Sequence, residues 1–68
     1  MKRMEIKLKA RAWRVNAGLT QDDVSKALQK NKGTIVMWEK GKRKPDKANL
    51  EALARLYGCK PNQILFCS

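Results

Sequence analysis

The side chains able to do chemistry in this chain are cations and hydrogen-bond donors. Lys30, Lys32, Lys40, Lys42, Arg43 and Lys44 crowd into one short segment, with Gln21, Asn31 and Thr34 placing amide and hydroxyl groups around them. Such groups suit anionic oxygens and the edges of bases, and they move no protons near neutral pH. The chain has no histidine, the commonest acid, base and metal ligand in that range. Its 2 cysteines, Cys59 and Cys67, are too few for a tetrahedral zinc site and too far apart for a CxxC redox pair. Cys59 sits among apolar neighbours and reads as a buried thiol, whereas Cys67 beside the end reads as an exposed, oxidisable one. No catalytic residue, metal or cofactor is expected.

The charge balance points the same way. Lys and Arg number 16 against 6 Asp and Glu, a formal net charge of +10 in 68 residues. Crowded positive charge repels itself in a compact fold and is useful only against a polyanion. Nucleic acid leads that class, and an anionic membrane surface comes second. No apolar run nears the roughly 18 residues of a membrane span, and the charged start MKRMEIKLKAR has no signal-like apolar stretch. A cytoplasmic chain forming one domain over residues 1–68 is expected.

Local signals divide the chain into five short helices. The first is expected over Met4–Asn16, where Ile6, Ala10, Trp13 and Ala17 repeat at helical spacing and Lys7, Lys9 and Arg11 lie off that stripe. Gly18 stops it. Thr20 reads as an N-cap, with Asp23 completing an approximate capping box, for a helix over Gln21–Leu28 that buries Val24, Ala27 and Leu28. Asn31 reads as the N-cap of a third helix, Lys32–Lys40, with Ile35 and Trp38 inward. Pro45 discourages helix at Lys44, and Asp46 caps a fourth helix over Lys47–Tyr57 with Leu50, Leu53, Ala54 and Tyr57 buried. Pro61 opens a fifth. No strand signal is present, so the reading is all-α.

Residues 20–41 thus give two short helices joined by a tight turn, the second with a polar, basic outer side. That is a helix-turn-helix, whose second helix fits the major groove.

The segments TQDDVSKALQKNKGTIVMWEKGKRKP and LEALARLYGCKPNQIL resemble the Cro/cI (XRE-type) helix-turn-helix domains of phage repressors and bacterial regulators. The likeness runs from about Ile6 to Phe66. It is most specific in Gly18-Leu19-Thr20-Gln21, Thr34-Ile35, Trp38-Glu39-x-Gly41 and Leu53-Ala54-x-x-Tyr57-Gly58. It implies a compact five-helix, lambda-repressor-like fold and a sequence-specific DNA-binding transcriptional regulator, in the repressor sense. It also implies double-stranded DNA with a pseudo-palindromic operator as partner, bound by a homodimer. Relatives that serve as antitoxins, or that modulate repression through a protein partner, are the alternative.

Roles follow from the matching positions. Gln21 matches a glutamine that touches the DNA backbone and braces a recognition side chain, with a solvated first-turn residue as the plain alternative. Asn31, Lys32, Gly33 and Met37 match base-reading positions, Thr34 and Lys40 phosphate-facing ones, and Lys42, Arg43 and Lys44 a loop that follows the backbone. Arg14 and Glu39 match an internal salt bridge. Lys32 has the chemistry for guanine, Asn31 for adenine if its side chain is not spent on capping, and Met37 for a thymine methyl.

Where relatives carry larger polar groups this chain has Gly33, which leaves direct readout sparse. Ser25, Gln29 and Lys30 also depart from the usual alanine, glycine and apolar residue. The tail Ile64-Leu65-Phe66 is either a dimer surface or packing against the first helix.

Overall fold

The computed structural model describes residues 6–66. It contains four α-helices rather than five: α1 Ala10–Asn16, α2 Gln21–Leu28, α3 Lys32–Glu39 and α4 Lys47–Tyr57. The expected fifth helix is a single 3-10 turn, Pro61–Gln63. Two short strands complete the chain, β1 Leu8–Lys9 and β2 Ile64–Leu65, paired in parallel with Leu8 opposite Ile64 and Lys9 opposite Leu65. The architecture is mostly helical, and the reading without strands is corrected by this small ladder.

The ladder explains why the first helix starts late. The Ile6 carbonyl accepts from Gln63 Nε2 at 3.0 Å, and Lys9 is extended, with φ −63° and ψ 150°. Residues drawn alongside the returning tail cannot also wind into helix. Ile6 is 57% exposed and Ala17 is exposed too, so the apolar stripe shrinks to Ala10 and Trp13. Met4, like Cys67, lies outside the described residues. Gln63 holds the corner together: its carbonyl accepts Trp13 Nε1 at 2.9 Å, and its Oε1 accepts the Lys60 N–H at 2.8 Å.

α2 and α4 have the expected bounds, and α3 starts at Lys32 as expected but ends at Glu39, one residue before the expected Lys40. Thr20 Oγ1 accepts the Asp23 N–H at 3.0 Å while Asp23 Oδ2 accepts the Thr20 N–H at 2.9 Å, a closed capping box. Those bonds hold the Asp23 carboxyl below the usual carboxylate range, the Thr20 backbone bond most strongly. Asp46 Oδ1 caps α4 by accepting the Asn49 N–H at 2.9 Å. α2 ends on Gln29 in the left-handed region, φ 56° and ψ 46°, where a side chain costs about 1 kcal/mol relative to glycine. Asn31 departs from its expected part: its backbone is extended at the start of α3, but its side chain caps nothing.

One core serves all four α-helices and β2. Ala10, Val24, Ile35, Trp38, Leu53, Ala54, Tyr57 and Ile64 are buried together, with Trp13, Leu28, Leu50 and Phe66 packed around them. Ala27, expected inside, is exposed. Ser25 is buried between the helices because it is small, and its hydroxyl donates to the Asp22 carbonyl at 2.8 Å. In the tail, Ile64 is buried and Phe66 packs on the core, leaving only Leu65 turned outward. The tail therefore packs on its own domain, one of the two readings it offered. Among the described residues no helix is long and apolar enough to cross a membrane.

Candidate nucleic-acid interface

α3 is fastened from beneath and open above. Ile35 is 1% exposed and Trp38 5%, so the helix buries one side against α2 and the core. At about 100° per residue, Gly33, Val36, Met37 and Lys40 fall on the opposite side. A surface hollow of about 460 Å³ runs along it, lined by Asn31, Gly33, Thr34, Val36, Met37 and Arg43. Five of the positions expected to face DNA thus share one depression. The freed Asn31 side chain borders it.

Most of this surface is apolar. Gly33 contributes no side chain, and a Cβ placed there would meet nothing within 4 Å. Val36 and Met37 are half-buried hydrocarbon and thioether. Lys32 does not line the hollow; its Nζ lies 3.9 Å from Asp22 Oδ1, with both side chains more than half exposed. A surface pair of that kind is worth at most about 1 kcal/mol and is screened by salt, so it leaves the lysine free to exchange partners.

Two further hollows flank α3. On the side of Thr34 and Trp38, one of about 290 Å³ is lined with Lys30, Arg43, Lys44, Pro45, Asp46 and Asn49 as well. On the side of Val36, Glu39 and Lys40, one of about 480 Å³ also takes in Lys9, Arg11, Arg14 and Gln21. The expected Arg14–Glu39 bridge forms its floor, Arg14 Nε to Glu39 Oε2 at 2.7 Å, with side-chain exposures of 12% and 7%. Gln21 Nε2 donates to the same carboxylate at 3.1 Å, so its amide nitrogen holds Glu39 instead of standing solvated. Lys42 is exposed and lines none of the three hollows.

Val36, Lys9 and Arg11 were not among the expected contact residues. Helical spacing could have found Val36, which lies i+3 from Gly33 on the outward side. Nothing in the sequence places Lys9 and Arg11 beside α3, because the tail strand fixes where α1 begins.

A helix-turn-helix family profile matches residues 11–64, a span that contains α2, α3 and α4 whole. The chain belongs to that family, in its Cro/cI (XRE) branch. It is 35% identical over 65 residues to the HTH-type transcriptional regulator DicA of Escherichia coli (strain K12), covering 96% of this chain and 48% of that protein. The chain thus spans about half the length of the curated relative it matches. No solved structure matches it.

Proposed function

We propose that the chain is a sequence-specific DNA-binding transcriptional regulator that lays α3 in the major groove and represses by occupying its operator. One observation carries the reading. The outward side of α3 is open along its length and bordered on both flanks by cations, while Ile35 and Trp38 anchor the other side. The groove, about 12 Å wide, admits one such helix.

The residues divide by chemistry. Lys32 and Asn31 carry the donors for base edges, and Met37 offers apolar contact to a thymine methyl. Gly33 lets the backbone come close. Thr34, Lys40, Lys42, Arg43 and Lys44 face phosphates, and the second Nε2 hydrogen of Gln21, the one not donated to Glu39, meets a phosphate at the start of α2. Residues 1–68 act as one such domain, paired as a homodimer on a pseudo-palindromic site in the cytoplasm. Pairing supplies the affinity that one sparse reading helix lacks, with half-sites about one helical turn apart.

Selection from random duplex DNA tests the reading. The expected product is a two-part motif whose affinity falls steeply with salt. Recovery of unenriched sequence at every salt concentration would overturn it, and would leave action through a protein partner as the alternative to pursue.

A further inference from the structure

On the flank of α3 bordered by Lys9 and Arg11, only Lys40 and Gln21 have contacts assigned so far, and Lys9 and Arg11 have none. Lys9 and Arg11 are exposed and make no ion pair among the described residues. Both open onto the 480 Å³ cleft beside α3, together with Lys40. The floor does not oppose an anion, because the Glu39 carboxylate is already met by Arg14 at 2.7 Å and Gln21 at 3.1 Å. Arg14 in turn is committed, its Nη1 donating to the Leu19 carbonyl at 2.9 Å. The free donors around this cleft are therefore Lys9, Arg11 and Lys40.

Helix polarity makes these cations costly where they stand. The first turn of α1 contains no acid and carries Arg11, against the preference of a helix N-terminus for negative charge. No internal partner among the described residues offsets that cost, as a function would. The parallel ladder holds Lys9 at the mouth of the cleft by pairing it with Leu65.

We propose that Lys9 and Arg11, with Lys40, form a second phosphate-contacting track on the side of α3 opposite Lys30, Arg43 and Lys44. The two tracks then grip the two walls of the major groove, one strand each, while α3 lies between them. This assignment rests on the DNA-binding reading above and extends it to α1.

The test compares the wild-type chain with Lys9→Gln/Arg11→Gln on the selected duplex across a salt series. Each lost phosphate contact removes about 0.9 from the slope of log K against log salt, so the double variant should be shallower by nearly two with an unchanged motif. Phosphate ethylation should interfere on both strands for wild type, and on one strand less for the variant. Arg55→Gln, an exposed cation on α4 outside the three hollows, should leave the ethylation pattern intact. Lys9→Arg/Arg11→Lys should keep both the slope and the pattern. A double variant whose slope and interference match those of Arg55→Gln would overturn the second track while the DNA-binding reading stands. Failure of wild type to bind any duplex would overturn both.

Discussion

Arg14 and Glu39 meet across 25 residues of chain, Nε to Oε2 at 2.7 Å and Nη2 to Oε1 at 3.4 Å, in a nearly parallel fork. Glu39 is the last residue of α3, Arg14 lies in α1, and Gln21, which shares the same carboxylate, opens α2. Three helices are thus pinned to one side chain at the end of the proposed reading helix. The pitch of α3 against the rest of the domain depends on that point.

Removing Glu39 should cost folding before it costs binding. Glu39→Ala leaves a guanidinium only 12% exposed without its partner, which typically costs about 3–5 kcal/mol. For a domain of this size that lowers the melting temperature by roughly 12–40 °C, read by circular dichroism. Glu39→Gln, which can still accept from Arg14, should lose less. Equal and small losses in both variants would mean that the fork does not hold the domain.

Legibility followed the range of the interaction. α2 and α4 start where Thr20 and Asp46 announce, and α4 stops at Gly58, because capping boxes, side-chain caps and glycine stops are settled within a few residues; the left-handed stop of α2 falls on Gln29, whose residue type does not announce it. α1 was misread because Leu8 answers to Ile64 across the whole length of the domain, and no local pattern records that pairing. The same distance concealed Lys9 and Arg11 beside α3. The outward side of α3 was legible in part: the spacing of Ile35 and Trp38 gives its inner side, and Val36 follows from Gly33 by one helical turn. Lys32 also meets Asp22 at 3.9 Å, an exposed charge pair between neighbouring helices that spacing alone does not reveal.

Base reading and backbone contact separate in two single variants. Lys32→Ala should change the motif recovered from random duplex DNA, since a donor to guanine edges is worth about 1–3 kcal/mol of discrimination. Lys42→Ala should weaken every sequence alike and flatten the salt slope by about one. Identical motifs from wild type and Lys32→Ala would show that the Asp22-paired position of this lysine persists on DNA.

Tyr57 makes the fold sensitive to alkali. Burial pushes its phenol up to about 12, with the Glu39 carboxylate adding to the shift. A raised folded value favours the neutral form, so this contribution is complete below about pH 10, the unfolded value, and is lost as pH rises through about 12. Because Tyr57 is the 1 tyrosine in the chain, phenolate absorbance reports it alone. Ionisation should lag an ordinary tyrosine and then coincide with unfolding. Titration near pH 10 with the helical signal intact would place the ring outside the core.

Gly33 separates stability from binding most sharply, because the two should move in opposite directions. It stands in the first turn of α3 with open space where a Cβ would project, so nothing in the unbound fold requires glycine there. Glycine within a helix costs about 0.5–1 kcal/mol relative to alanine. Gly33→Ala should therefore raise the melting temperature by a few degrees. If α3 approaches the groove floor through this gap, the added methyl meets the duplex and lowers affinity for the selected site, while binding to unrelated sequence, which rests on phosphates, changes little. A variant that is more stable and binds its site as tightly as wild type would place Gly33 away from the bases and require the helix to enter the groove on its Lys32 side.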